Sequence, residues 1–182
     1  NNTLAIADGT GGLASNYTLS GATINVTIIP RTLNVTLSRE YDGTTAVSGA
    51  SLTPTFDSLQ GGETLALSGT GSVSTANVGS SKAVSLGSIA LVAGSGNPSN
   101  YSLNSATMNV TQRVINLDGI RAYDATTNVL SSDINTFGNI VSGETLTISG
   151  TGSVGTNSVA MNKAITIGSL LLGCLLYTSD AA

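Results

Sequence analysis

The stretch Tyr41-Asp42-Gly43-Thr44-Thr45 returns as Tyr123-Asp124-Ala125-Thr126-Thr127, 82 positions later. A chain that repeats itself at one period builds the same small unit more than once, and each unit must find its core within that length. Other landmarks recur in the same order. Gly62-Glu63-Thr64-Leu65 and Gly69-Thr70-Gly71-Ser72-Val73 return as Gly143-Glu144-Thr145-Leu146 and Gly150-Thr151-Gly152-Ser153-Val154, while Lys82-Ala83-Val84 returns as Lys163-Ala164-Ile165, each 81 positions on. Asn16-Tyr17-Thr18-Leu19 with Ile24-Asn25-Val26-Thr27 matches Asn100-Tyr101-Ser102-Leu103 with Met108-Asn109-Val110-Thr111 at an offset of 84. These offsets divide the chain into four parts. Residues 1–30 read as the closing strands of a unit, 31–112 as a complete unit, 113–173 as a second unit without its last strands, and 174–182 as a tail that matches nothing earlier.

Within the units apolar residues alternate with polar ones, the period of a half-buried strand. Leu33, Val35 and Leu37 share one face, with Ile115 and Leu117 as counterparts and Gly119 replacing the third. Turn residues recur at the spacing of about 8–12 residues found in sandwiches and barrels, which gives about seven short strands per unit. No stretch sustains a helical period. The expected fold is therefore all-β, as tandem immunoglobulin-like β-sandwich modules of about 82 residues; β-grasp-like modules or a β-solenoid are the alternatives. The junctions Pro30-Arg31 and Gln112-Arg113 carry no Gly/Ser tract, so successive units are expected to join stiffly.

Composition bears on what such units could do. Only 9% of the 182 residues are charged, yet 40% are hydrophobic and mean hydropathy is +0.26, which favours buried cores over disorder. The net charge is −4 and the six basic residues stand singly along the chain, so no basic patch suggests nucleic acid or an anionic membrane surface. No apolar run approaches the roughly 20 residues of a membrane helix. Histidine, the usual proton carrier near neutral pH, is absent. The chain opens at Asn1 with neither an initiating Met nor a signal peptide, and reads as an internal segment of something longer.

The Tyr-Asp motif reads as structural. Tyr41 and Tyr123 would cap the core, Asp42 and Asp124 would accept backbone donors two residues on, and Thr44-Thr45 and Thr126-Thr127 would begin the next extended segment. Because Ala125 stands where Gly43 does, a positive φ is not expected to be required there. Asp42, Asp57, Glu63, Asp124, Asp133 and Glu144 lack the dense alternating spacing of a calcium loop and show no sign of a shared cleft, so they read as turn carboxylates. Lys82 and Lys163 occupy one repeated position; an edge-strand lysine that discourages aggregation is preferred to an isopeptide-forming one. The Gly-Thr-Gly pairs lack the ending of a phosphate loop and read as turns. Asn1, Asn16, Asn25, Asn34, Asn100 and Asn109 open Asn-x-Ser/Thr sequons. No nucleophile, base and orienting group assemble, so neither catalysis nor a cofactor or metal is expected.

The ordered set Tyr-Asp-Gly-Thr-Thr, Gly-Glu-Thr-Leu, Gly-Thr-Gly, Lys-Ala-Val, Asn-Tyr-Ser-Leu and Asn-Val-Thr resembles the YDG repeat of very large bacterial surface proteins, including filamentous-haemagglutinin-like adhesins. The resemblance implies a secreted, extracellular repeat module, hence a stalk or spacer partnered by neighbouring repeats of its own chain. The alternative is that the modules bind surface glycans or proteins weakly and gain strength by multivalency. Cys174-Leu175-Leu176-Tyr177-Thr178-Ser179-Asp180-Ala181-Ala182 resembles the translation of a transposase-type sequencing adapter, and without it the chain has no cysteine. Finally, residues 1–30 carry the strands that residues 113–173 lack, which predicts head-to-tail self-association by strand addition.

Overall fold

A computed structural model describes residues 4–174 of the chain. Among them the fold is all-β, with several sheets joined by turns and four single-turn 3-10 segments. The first strand, β1 (Arg31–Glu40), follows from its sequence: Leu33, Val35 and Leu37 point into the protein and are almost wholly buried, while Thr32, Asn34, Thr36 and Ser38 face out. The partner of β1 lies at the other end of the unit. β8 (Tyr101–Thr111) runs parallel to it, from Arg31 opposite Tyr101 to Glu40 opposite Thr111.

The register slips between Leu33 and Asn34, leaving Asn104 without an opposite residue. This bulge changes which side chains of β8 point inward, from Tyr101 before it to Ala106, Met108 and Val110 after it. Asn34 stitches the bulge, its Oδ1 accepting from Asn104 Nδ2 at 3.0 Å and Ser105 Oγ at 2.7 Å.

The remaining strands of this unit are β2 (Ala46–Ser48), β3 (Thr55–Phe56), β4 (Leu65–Ser68), β5 (Thr70–Val73), β6 (Gly79–Ser85) and β7 (Ala90–Ala93). The main sheet has the order β2-β5-β6-β8-β1-β3. Its strand β6 serves two neighbours in turn, with Lys82 and Ala83 on β8 and Val84 and Ser85 on β5, and Ser81 at φ 51 marks the kink between them. β4 and β7 form a separate antiparallel pair. Leu67 of that pair joins Val35, Leu37, Val73 and Met108 of the main sheet in one core, with Leu91 packed against it, giving a sandwich-like arrangement.

The second unit repeats these pairings in reduced form. Its strands are β9 (Asn116–Gly119), β10 (Asn128–Leu130), β11 (Ile134–Gly138), β12 (Leu146–Ser149), β13 (Thr151–Val154), β14 (Ile165–Thr166) and β15 (Leu171–Cys174). β9 pairs with β11 as β1 does with β3, β10-β13-β14 repeats β2-β5-β6, and β12 pairs with β15 as β4 does with β7. Among the described residues nothing stands where β8 stands. The strands that would flank it are correspondingly short: β9 has four residues against ten in β1, and β14 two against seven in β6.

Two expectations need correction. The alternating segment 17–29 forms no strand; the described residues ahead of β1 hold a 3-10 turn at Ala14–Asn16, a bridge between Gly9 and Gly12 and a turn at Ser20-Gly21. Alternation describes a face, and a strand also needs a neighbour to take its backbone hydrogen bonds. The first unit has eight strands and the second, among the described residues, seven. Lys82 is not on an edge strand, since β6 lies between β5 and β8. The stretch from residue 175 onward, which carries most of the adapter-like tail, lies outside the described residues.

Candidate functional site

The repeated Tyr-Asp motif forms the same turn in both units, and an arginine two residues before the tyrosine completes it. Asp42 Oδ1 accepts Thr44 N at 2.9 Å and Thr44 Oγ1 at 3.0 Å. Arg39 Nη1 lies 3.2 Å from Asp42 Oδ2 and donates to Thr44 Oγ1 and, at 2.5 Å, to the Ala46 carbonyl; Nη2 donates to the Thr44 carbonyl. In the second unit Asp124 Oδ1 accepts Thr126 N and Oγ1, both at 2.9 Å. Arg121 Nη1 meets Asp124 Oδ2 at 2.7 Å, and Nη2 meets the Thr126 carbonyl at 2.6 Å. Burial works against the charge of Asp42, but the Thr44 amide and hydroxyl and the Arg39 guanidinium outweigh it and hold the carboxyl below the usual range. Asp124 is lowered chiefly by the Thr126 amide, with the Thr126 hydroxyl and Arg121 adding to it against a smaller effect of desolvation.

Between Asp and Thr the backbone turns through the left-handed region in both copies, at φ 75 for Gly43 and φ 62 for Ala125. The expectation that Ala125 releases this requirement is therefore wrong. The Asp-Thr hydrogen bonds and the arginine clamp fix the turn, and Ala125 adopts the conformation despite its Cβ. The tyrosines diverge: Tyr41 packs against the first core, whereas Tyr123 is largely exposed, since the second unit has no described strand where β8 lies.

A second constellation ties the two units together. Arg113 Nη1 donates to the Tyr41 carbonyl at 3.3 Å and lies 3.7 Å from Glu40 Oε1. The same guanidinium reaches the other way, with Nε on the Asn139 carbonyl and Nη2 on Asn139 Oδ1, both at 2.7 Å. The Tyr41 hydroxyl donates to Glu144. Gly43 lies against Val141 so closely that a Cβ there would sit 2.8 Å from Val141 Cγ1. One arginine thus bridges Glu40 and Tyr41 of the first unit to Asn139 of the second.

Asp57, Glu63 and Asp133 accept hydrogen bonds from protein donors. Asp57 takes the amide and side chain of Asn34, which lower its pKa. Glu63 accepts from the Tyr101 hydroxyl and so raises that phenol. Asp133 accepts the Leu130 amide at 2.9 Å. No three of His, Cys, Asp or Glu gather among the described residues. Lys82 Nζ donates to Thr75 Oγ1 at 2.8 Å and to the Asn77 carbonyl at 2.6 Å, and Lys163 Nζ donates to the Thr156 and Ser158 carbonyls, so each lysine closes the loop that leads into β6 or β14. The Gly-Thr-Gly segments turn only at their first glycine, since Thr70-Gly71 already belong to β5 and Thr151-Gly152 to β13: a Cβ on Gly69 would lie 2.0 Å from the Ser88 carbonyl oxygen, and one on Gly150 2.1 Å from that of Ser169.

The sequence reading missed the arginines. A signal was available, because the six basic residues form three repeated pairs, Arg31/Arg113, Arg39/Arg121 and Lys82/Lys163. A charge that recurs in register has a local partner to satisfy.

Residues 25–108 match the YDG domain. The match runs from the segment before β1 through most of β8. Comparison with curated proteins and with solved structures yields no match. No helix among the described residues is long and apolar enough to cross a membrane.

Proposed function

We propose that this chain is a spacer: consecutive YDG-type units of a secreted bacterial surface adhesin, whose task is to set distance and direction rather than to transform a substrate. The observation that carries the reading is the Arg113 bridge, which joins Glu40 and Tyr41 to Asn139 and so couples one unit's Tyr-Asp turn to its neighbour. A linker meant to swivel would be rich in Gly and Ser and free of such contacts. Asp42, Asp57, Glu63, Asp124, Asp133 and Glu144, engaged in turns and pairs, support the same reading.

Small-angle scattering from the chain in dilute solution tests this. A fixed junction gives one narrow inter-unit distance, which Arg113→Ala should broaden while circular dichroism stays unchanged. Equally broad distributions for both proteins would overturn the spacer reading. A second reading, weak multivalent binding of glycans or surface proteins, draws on the exposed rings of Tyr17 and Tyr123. It requires retention on a glycan or surface-protein array that is lost in a Tyr17→Ala/Tyr123→Ala variant.

A further inference from the structure

We propose that the contact between the two units is specific for their order: the Tyr-Asp turn of the first unit fits the receiving face of the second, and a turn of the second unit's own type is refused there. The turn presents Glu40, Tyr41 and Gly43; the receiving face presents Arg113, Val141 and Glu144. Each has a counterpart in the other unit. Glu40, Tyr41 and Gly43 correspond to Ala122, Tyr123 and Ala125, and Arg113 to Arg31, at an offset of 82, while Val141 and Glu144 correspond to Gln60 and Glu63 at an offset of 81. The backbone keeps this alignment, since the amide of Glu63 bonds the Gln60 carbonyl at 2.9 Å and that of Glu144 the Val141 carbonyl at 3.1 Å.

The residues that hold the junction together are common to both units. Tyr41 donates its hydroxyl to Glu144, and Arg113 Nη1 meets the Tyr41 carbonyl at 3.3 Å; both turns carry the tyrosine, and both faces carry the arginine and the glutamate. These contacts supply attraction without preference. Choice falls to the positions that differ, which are 40, 43 and 141.

Gly43 and Val141 carry most of it. A Cβ on Gly43 would lie 2.8 Å from Val141 Cγ1 and 3.8 Å from Val141 Cβ, so the missing side chain is what lets the valine approach. Ala125 makes the same left-handed turn, at φ 62 against φ 75, and would bring that Cβ with it. Val141 yields poorly, because its methyls branch directly from Cβ and χ1 is restricted. Gln60, its counterpart, has its bulk at the end of an unbranched stem that can swing to another rotamer. Glu40 adds a smaller bias. Its carboxylate lies 3.7 Å from Arg113, but both side chains are partly exposed, and Ala122 would offer the guanidinium no charge in its place.

Tandem units of nearly one sequence invite wrong docking, because each turn meets a similar face in its own chain and in other copies. The mismatch between Ala125 and Val141 removes the second unit's turn as a competitor for the face that the first unit's turn occupies. The proposal rests on the spacer reading, since only a fixed junction can be specific.

Small-angle scattering from the full chain, with a thiol reductant present, tests it on three variants. Glu40→Ala/Gly43→Ala gives the first turn the second unit's residues and should lose the single narrow inter-unit distance of the wild type. Adding Val141→Gln, which gives the face the first unit's residue, should restore that distance. Ala122→Glu/Ala125→Gly alters the turn outside this junction and should leave the distance unchanged. Strain confined to the first turn is not repaired by a change across the junction, so recovery on adding Val141→Gln decides the matter even where the double variant also loses circular dichroism. A broad wild type overturns the spacer reading and this proposal together. A narrow wild type overturns this proposal alone if Glu40→Ala/Gly43→Ala is equally narrow, if Val141→Gln brings no recovery, or if Ala122→Glu/Ala125→Gly broadens the distance as much.

Discussion

Exchanging the residues at the crown of the two Tyr-Asp turns gives an internal control on what the turn demands. Gly43 and Ala125 both lie in the left-handed region, at φ 75 and φ 62. A residue with a Cβ costs about 1–2 kcal/mol there, whereas glycine gives back some of that gain, roughly 0.5–1 kcal/mol, through its more flexible unfolded chain. Ala125→Gly should therefore stabilise the second unit by about 0.5–1 kcal/mol. Gly43→Ala should be worse than the mirror of that change. Besides the backbone strain, its Cβ would come within 2.8 Å of Val141 Cγ1 across the junction, so a loss of about 2 kcal/mol is expected. Urea unfolding followed by amide exchange, so that each unit is read separately, measures both. For a unit of this size 1 kcal/mol corresponds to roughly 4–8 °C in Tm. Val141→Ala in the Gly43→Ala background should recover part of the loss by removing the methyl that the new Cβ meets. If Ala125→Gly is neutral or destabilising, the turn does not hold its backbone against the side chain, and the reasoning fails.

Three further outcomes follow from the turns and pairs. Asp42→Ala removes two hydrogen bonds to a carboxylate and its pairing with Arg39; with the Asp42 side chain 42% exposed, the discounted cost is about 2 kcal/mol in urea unfolding, and Asp42→Asn should cost less. Because Asp42, Asp57 and Asp124 are all lowered from 3.8 in the folded state, their contribution is complete above that pH and is lost as pH falls below it; a thermal-stability profile that stays flat into strong acid contradicts this. Tyr101 runs the other way. Raised above 10.0 by Glu63, it favours the folded state below pH 10 and ceases to do so as the pH climbs past its folded value, a loss that Tyr101→Phe should abolish.

The sequence made β1 legible because its evidence is local: Leu33, Val35 and Leu37 alternate with polar residues, and burial follows that alternation. The partner of β1 is not legible in the same way. β8 lies at the far end of the unit and pairs in parallel, and no local pattern distinguishes an interior strand from one that never finds a neighbour. Segment 17–29 shows the cost of that ambiguity, with the right alternation and no sheet. The Asp-Thr turn could be read from residue types, since a short carboxylate reaching the amide two positions on is a property of four or five residues alone. The conformation of Ala125 could not. It is imposed by Arg121, Asp124 and Thr126 acting together, so the local preference of alanine is overridden. Arg39 and Arg121 were hidden for the opposite reason: along the chain each looks solitary, and only alignment of the repeats shows that each belongs to a fixed setting.

The parallel ladder of β1 with β8 also decides how the first unit would bear tension. Arg31 stands opposite Tyr101 at one end of the ladder, and Glu40 opposite Thr111 at the other. A pull entering before Arg31 and leaving after Thr111 therefore draws the two strands past each other along their length. Every rung between them is loaded at once, in shear, instead of one after another as in a peeling hairpin. Rupture must then break the ladder as a body, and the lifetime under load is set by that single barrier to unfolding. A unit whose first and last strands lie side by side is, in mechanical terms, a clasp that shares the load along its whole length.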